Sequence, residues 1–553
     1  MYHRKDYDQL SIEEFFLPFG GKLRKDNRWV RLAAMMPWEY IDEVYARSMN
    51  EETGRKAIPS RIAFGALFIK EYCNLTDEST VSEIQENPYM QYFLGLHEFQ
   101  DEPLFNPSMM VHFRKRFPVN EVAQINEYLC TGQRPEEMRD VDRNKGAQQE
   151  GQQKEEKEQK KEKEQEADNT SSHDDDNTPS ATSGEPDSKS TGRKNGKHKA
   201  STSKKKQKKR KKNRGKLIMD ATVTPANIKY STDIDLLNKS REHIEKAINI
   251  LWKVVPHKGH KLPYSAKKAR KSYLNLVKCK KWTREKVRKA IGEQLHYVEL
   301  ATKRLETLKQ QVPEWANMLA GWLYRRLEII PKVFAQQKQM YDNDVNVCEN
   351  RIVSLEQPHV RPIKRGKRPN PTEFGQKLHL STVNGFTYLE QTSWSNFNES
   401  LDLQEAVENY FRREGVYPTA VLADQIYQTR ANKTFCKEKG IRLSGLPLGR
   451  RKKGDTDAKL KRQMYRDSCE RNAIEGRNGI AKRRFGLDLI MSKLDETAKT
   501  EAALNILAMN ASHKLAQWLA RFFPFQWFCV RILIFQQTLN NQYSIGNTPK
   551  LVE

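Results

Sequence analysis

Three acidic residues occupy positions from which a carboxylate could act on a substrate. Asp220 follows the apolar run LIM, and Asp424 follows the apolar run AVLA; both runs are typical of short buried β-strands. Glu475 lies instead in ERNAIEGRNGIAKRR, a basic segment that we predict to be helical. Polar residues at strand ends of α/β sheets tend to line the functional crevice. We therefore expect the two aspartates to face one site.

Two cations share the predicted helix face of Glu475. At about 100° per residue, Arg471 lies roughly 40° and Lys482 roughly 20° from Glu475 around the helix axis. The spacing fits a surface stripe of ion pairs. It fits equally a site in which the carboxylate binds a metal ion while Arg471, Lys482 and the adjacent Arg483 hold phosphates.

Three carboxylates suit metal-assisted phosphodiester chemistry. Two Mg²⁺ ions about 4 Å apart can activate water or a 3′-hydroxyl on one side and stabilise the leaving oxygen on the other. Magnesium prefers oxygen ligands, and Mn²⁺ can substitute for it. The chain contains 71 acidic residues, so the pattern alone does not separate a metal site from unrelated carboxylates.

The overall charge indicates the class of partner. The 553 residues carry a formal net charge of +26, which favours nucleic acid over an anionic membrane surface because no basic amphipathic anchor stands out. The seven cysteines are scattered without a CxxC pair, which favours free thiols in a reducing compartment. The N-terminal residues lack an apolar signal-peptide core. We expect a cytoplasmic, nucleoid-associated protein that does not span a membrane.

The composition divides the chain into four parts. Residues 1–130 have helical spacing and end in a short helix with Arg114, Lys115 and Arg116, which fits either a DNA-binding helix-turn-helix or a plain bundle. Residues 131–215 are almost free of large apolar residues and end in a polybasic arm, which predicts a disordered linker.

The remainder predicts an α/β domain at 216–519 and an apolar helical segment at 520–553. Strand and helix patterns alternate in the α/β domain, with a long helical insertion at 238–345. Asn384-Gly385 predicts a β-hairpin turn, and Gly415 a helix end. The basic loop near 350–375 contributes three candidate phosphate contacts, Arg365, Lys367 and Arg368.

Three segments, in order, resemble the DDE transposases of bacterial insertion sequences. They are IMDATVTPANIKYSTDIDLLNKSRE, PTAVLADQIYQTRANKTFCKEKGIRLSGLPLG and RNAIEGRNGIAKRRFGL. The segment RIVSLEQPHVRPIKRGKRPNPTEFGQKLHLS is similar to members that carry a helical insertion, and 59–117 is similar to the helical domain that precedes the catalytic one.

The resemblance implies an RNase H-like mixed sheet with flanking helices, and it assigns Asp220, Asp424 and Glu475 as catalytic metal ligands. It also implies binding of terminal inverted repeats and target DNA, cleavage followed by strand transfer, and a homodimer or larger assembly. The sequence departs from the family pattern in two places: a usual tyrosine is Ser468, and a usual aromatic residue is Asn478. The alternatives are a nuclease of the same fold without strand transfer and an inactive DNA-binding relative.

Overall fold

The computed structural model describes Tyr2 and residues 11–18, 20–50, 55–138, 212–229, 232–255, 264–364, 372–445 and 458–522. Three predicted parts lie outside the described residues: most of the linker, the basic segment with Arg365, Lys367 and Arg368, and residues 523–553.

The N-terminal part is helical, as the spacing predicts. Its helices are α1 (Arg28–Met35), α2 (Trp38–Arg47), α3 (Ser60–Cys73), α4 (Asp77–Glu86), α5 (Pro88–Phe93), α6 (Met109–Arg116) and α7 (Val119–Thr131). Local capping fixes several ends. The Asn27 side chain accepts a hydrogen bond from the Trp29 N–H at the start of α1, and Gly132, with φ of 74°, ends α7.

The second half contains a mixed sheet, which confirms the α/β prediction. Its strands are β1 (Lys216–Pro225), β2 (Arg361–Lys364), β3 (Thr372–Val383), β4 (Phe386–Ser393), β5 (Ala420–Leu422) and β6 (Arg442–Leu443). One edge of the long strand β3 pairs antiparallel with β1, and the other edge pairs with β2 and then β4. On the far side of β1, β5 and β6 run parallel.

The predicted hairpin turn is confirmed at the tip of β3 and β4. Asn384 has φ of 52° and Gly385 has φ of 84°, and two consecutive positive φ values are what a type I′ turn requires. Gly415 likewise ends a helix with φ of 68°, as the sequence predicts.

Helices surround the sheet and form the insertion. The insertion helices are α8 (Asp233–Leu251), α9 (Ala266–Val277), α10 (Arg284–Gln311) and α11 (Gly321–Asp342). They pack around a core of their own that includes Leu237, Val298 and Leu323. The helices that follow the hairpin are α12 (Leu403–Glu414), α13 (Arg430–Glu438), α14 (Ala458–Arg484) and α15 (Asp495–Phe522).

The N-terminal helices share one hydrophobic core with α15. Phe117 and Ile125 belong to the same buried cluster as Leu507. Polar contacts also connect α7, α15 and β4. Asn510 Nδ2 donates to Asn126 Oδ1 at 2.9 Å and to the Thr387 carbonyl at 2.6 Å. Among the described residues, the N-terminal helices are therefore packed against the half of the chain that contains the sheet.

A buried charge cluster joins α3 to α15. Lys70 Nζ lies 2.7 Å from Glu71 and 3.9 Å from Glu501. Glu501 also accepts hydrogen bonds from the backbone N–H groups of Met491 and Ser492, each at 3.0 Å. Burial and the Glu501 charge outweigh Lys70, and they raise the pKa of Glu71 from 4.5 to about 7.

This cluster predicts a pH-dependent stability difference. The folded chain holds the Glu71 proton more tightly than the unfolded chain, so the Glu71 contribution to stability is full below about pH 4.5 and is lost as pH rises towards about 7. We expect Glu71→Gln to become progressively more stable than the parent across that window, by up to about 1.4 kcal/mol per pH unit. Urea denaturation at several pH values measures it, and a difference that does not change with pH would contradict it.

Candidate active site

The three predicted carboxylates line a single cleft of about 870 Å³. Asp220 comes from β1, Asp424 follows β5, and Glu475 lies on α14. β1 and β5 pair in parallel with Ile218 opposite Leu422, so continuing that register brings Asp220 and Asp424 side by side. The sheet thus explains how residues 204 positions apart in the chain meet.

Asp220 does not end its strand as the apolar run LIM suggests. β1 continues to Pro225 because its other edge pairs with β3, where Asp220 stands opposite Leu380. The carboxylate is held within a paired strand, which fixes its backbone more firmly than a strand end would.

The Asp220 carboxyl is electrostatically coupled to its neighbour. Burial, followed by the nearby Asp424 charge, raises the pKa of Asp220 from 3.8 to about 6. Two carboxylates this close repel one another unless a cation lies between or beside them. The cleft is therefore suited to binding positive charge.

Arg471 supplies such a charge in the described arrangement. Its Nη1 lies 3.0 Å from Asp424 Oδ1, and its Nη2 lies 3.4 Å from Glu475 Oε1. The i,i+4 relation on α14 places Arg471 beside Glu475, as the helical spacing predicts. Both carboxylate side chains remain 55% exposed, so they are open to the cleft as well as to Arg471.

Lys482 borders the same cleft on the Glu475 face of α14, about two turns further along the helix. Its Nζ donates to the Val223 carbonyl at 2.7 Å, which holds the ammonium group against β1. Arg483 is exposed. Arg471, Glu475 and Lys482 of α14 thus line one side of the cleft, and Arg483 is not among its lining residues.

Asn478 lies beside Asp220 and was not among the predicted site residues. Its Nδ2 donates to Asp220 Oδ2 at 3.3 Å. Its Oδ1 is buried and has no hydrogen-bond partner among the described residues. The sequence did mark Asn478 as unusual, because related sequences often have an aromatic residue at this position. Nothing in the sequence indicated that its side chain lies against Asp220.

A second group of polar residues near the cleft was also not predicted from the sequence. Glu399 lines the cleft, and its carboxylate lies 2.7 Å from Lys377 Nζ. Tyr427 Oη donates to Glu399 Oε2 at 3.4 Å and lies 3.0 Å from His379 Nε2. Burial raises the pKa of Tyr427, and the Glu399 charge raises it further. These residues come from β3 and from short turns, so only the fold brings them together.

The chemistry of the donors fits a hard divalent cation. The cleft offers carboxylate oxygens from three elements and the unpartnered amide oxygen of Asn478. Within the described parts of the chain, no group of three His, Cys, Asp or Glu side chains is already gathered for a metal ion. In the described arrangement Arg471 contacts two of the carboxylates, Asp424 and Glu475. A bound ion would have to take its place.

The N-terminal basic residues differ in accessibility. Arg114 is buried and forms a two-pronged ion pair with Asp77 on α4, with one contact of 3.0 Å. Its guanidinium therefore stabilises the helical bundle and is not exposed for the predicted contact with DNA. Arg116 is exposed, although it donates to the Ser48 carbonyl.

The described residues show two further properties of the chain. None of their helices is both long and apolar enough to pass through a lipid bilayer. The six described cysteines are free thiols.

Comparisons with known proteins connect both halves to one group. The family described as "Transposase DDE domain" matches residues 421–511, and the family described as "Transposase domain (DUF772)" matches residues 18–116. The first segment contains Asp424 and Glu475, whereas Asp220 lies outside both.

A relative from Rhizobium meliloti, described as "Uncharacterized protein ORF8 in nfe locus", is 35% identical over 118 residues. That alignment covers 20% of this chain and 56% of the relative, so the chain spans about half of the length of the protein it matches. No solved structure matches the chain. The two family segments confirm the resemblance to DDE transposases that was drawn from the sequence.

Proposed function

We propose that the chain is a transposase that cleaves DNA and joins the cut end to target DNA, using two Mg²⁺ ions held by Asp220, Asp424 and Glu475. The observation that carries the proposal is the convergence of these three carboxylates, from separate parts of the sequence, in one cleft. The mixed sheet, its flanking helices and the helical insertion agree with an RNase H-like catalytic domain.

The divalent ions, Mg²⁺ or a substituting Mn²⁺, would supply activation of water or of a 3′-hydroxyl and stabilisation of the leaving oxygen. The protein supplies the positions of the ligands. β1 and β5 hold the two aspartates side by side, Asn478 orients Asp220 through its amide group, and α14 brings Glu475 to the opposite side.

The cations of α14 have a complementary role. In the described arrangement Arg471 neutralises Asp424 and Glu475. Once those carboxylates bind divalent ions, the Arg471 guanidinium can turn to a DNA phosphate, for which its paired N–H groups are well suited. Lys482 and the exposed Arg483 add positive charge next to the reacting phosphodiester.

The proposal extends to partners and location. The substrate would be the terminal inverted repeats of a mobile element together with target DNA, and two ends require a homodimer or a larger assembly. Arg116 and the basic loop with Arg365, Lys367 and Arg368 are candidate phosphate contacts. The protein would act on the nucleoid in the cytoplasm.

A strand-transfer assay tests the proposed reaction. The purified full chain is incubated with Mg²⁺, a labelled duplex carrying the element's inverted-repeat end, and a supercoiled target plasmid. We expect nicked ends and then labelled joined products, neither of which should form in EDTA. Cleavage without joined products would favour a nuclease of the same fold. Binding without cleavage in either Mg²⁺ or Mn²⁺ would favour an inactive DNA-binding relative.

A further inference from the structure

Helix α9 of the insertion presents a row of exposed positive charge, which we call the α9 basic face. Its members, all exposed, are Lys267, Lys268, Arg270, Lys271 and Lys278. Four of them, all except Lys268, line a groove of about 530 Å³ together with Leu274 and Asn275. From Lys267 to Lys278 the row is about 16 Å long at 1.5 Å per residue.

The opposite side of α9 is anchored in the insertion. Ala269 and Leu276 are buried, and Tyr273 Oη donates to Asp235 Oδ1 on α8 at 2.6 Å. The side chain of Gln294 on α10 donates to the Ala269 carbonyl at 2.9 Å. The helix therefore has a fixed orientation, and its basic face points away from the insertion core.

Several other cations of the insertion have acidic partners. Lys303 lies 2.9 Å from Glu299, Lys338 lies 3.3 Å from Asp342, and Arg288 lies 2.8 Å from Asp344. Within the described part of the chain, the α9 basic face makes no such ion pair. The sequence accounts for this, because residues 246–284 contain 12 Lys or Arg and no Asp or Glu.

Helix stability does not explain the face. Cations near a helix C-terminus interact favourably with the helix dipole, which accounts for Lys278. Lys267, Lys268 and Arg270 lie instead in the first turns of α9, where the dipole disfavours positive charge. Their repulsion from one another and from the dipole costs stability, and a polyanion bound along the face would relieve it.

We propose that the α9 basic face binds the phosphate backbone of double-stranded DNA without reading its sequence. A duplex carries one charge per about 1.7 Å of axis with both strands counted, so a 16 Å length of duplex carries about ten phosphates, about five on each strand. Lysine ammonium groups fix position on the backbone and carry no base information. The inference takes its ligand from the proposed function, but it does not depend on catalysis in the cleft.

The test uses the full chain and a fluorescein-labelled 30-base-pair duplex of arbitrary sequence, in EDTA, with polarisation measured from 50 to 200 mM NaCl. We expect Lys267→Gln/Lys271→Gln to weaken binding by about tenfold and to lower the slope of log Kd against log salt by up to about 2, one per lost phosphate contact. Adding Arg270→Gln should lower the slope by about one more.

The matched control is Lys303→Gln/Lys338→Gln, which removes the same number of charges from the same insertion where they are ion-paired. It should bind like the parent. The thermal unfolding midpoint of each variant shows whether weaker binding reflects unfolding. Removing cations from the start of α9 should leave this midpoint unchanged or raise it.

Three outcomes would overturn the inference. The first is a Lys267→Gln/Lys271→Gln protein with the parent's affinity and salt slope, and the second is an equal loss in the control. The third is a parent that binds anionic lipid vesicles but not the duplex, which would also contradict the proposed function. In the first two cases the parent still binds DNA, so the α9 basic face fails while the proposed function stands.

Discussion

Asp424→Asn is expected to reduce the rate of Mg²⁺-dependent DNA cleavage by at least about a hundredfold. Removing one group that stabilises charge at a reacting centre typically slows an enzyme by about this factor. Asparagine keeps the size of aspartate but removes the charge that a divalent ion requires. The Asp424 side chain is 55% exposed, so the substitution should leave folding intact. Rates of nicking of a labelled inverted-repeat duplex measure the effect.

Glu470→Gln is the matched control for this prediction. Glu470 also lies on α14, but its carboxylate pairs with Lys216 at 2.7 Å, and it is not part of the cleft lining. Its cleavage rate should equal that of the parent. If Asp424→Asn cuts as fast as the parent, Asp424 is not a metal ligand.

Metal binding offers a readout that does not depend on cleavage. Calorimetric titration with Mn²⁺ should show weaker binding to Asp424→Asn than to the parent and to Glu470→Gln. Loss of cleavage with unchanged Mn²⁺ binding would mean that Asp424 acts in some other way than as a ligand. The metal assignment would then be wrong, although the cleft could still be the active site.

Local chemistry made part of the fold predictable. The Asn384-Gly385 turn and the end of α12 at Gly415 depend on backbone conformations that only a few residue types adopt. The α/β character of the second half follows from its alternating strand and helix patterns. These features are encoded within short windows, so one sequence is enough to find them.

Features that depend on distant partners could not be read from the sequence. Arg114 looks like part of an exposed basic triplet, but Asp77, 37 positions earlier, draws it into the bundle. Glu399 and Asn478 reach Asp220 only because β3, α14 and the turn after β4 fold against β1. The three carboxylates were found because the resemblance identified them, and spacing alone would not have selected them from 71 acidic residues.

A second buried charge cluster joins the N-terminal helices to the half of the chain that contains the sheet. Arg413 on α12 is buried between Glu127 of α7 at 3.3 Å and Glu390 of β4 at 2.5 Å. Burial opposes ionisation of Glu390, but Arg413 and hydrogen bonds from Ser381 and Asn409 lower the pKa of Glu390 overall. The guanidinium thus neutralises carboxylates from two separate parts of the sequence.

Arg413→Met is expected to destabilise the chain by about 3–5 kcal/mol, because it leaves Glu390 buried without its cation. Urea denaturation at neutral pH measures the loss of stability.

Arg412→Met is the matched control. Arg412 also contacts Glu127, at 2.8 Å, but its side chain is 27% exposed. Because water screens the change, the loss of stability should stay below about 1 kcal/mol. Adding Glu390→Gln to Arg413→Met should restore part of the stability, since an uncharged amide replaces the stranded carboxylate. Equal losses at Arg412 and Arg413, or no recovery in the double variant, would show that packing rather than charge neutralisation holds α7 to the sheet at this point.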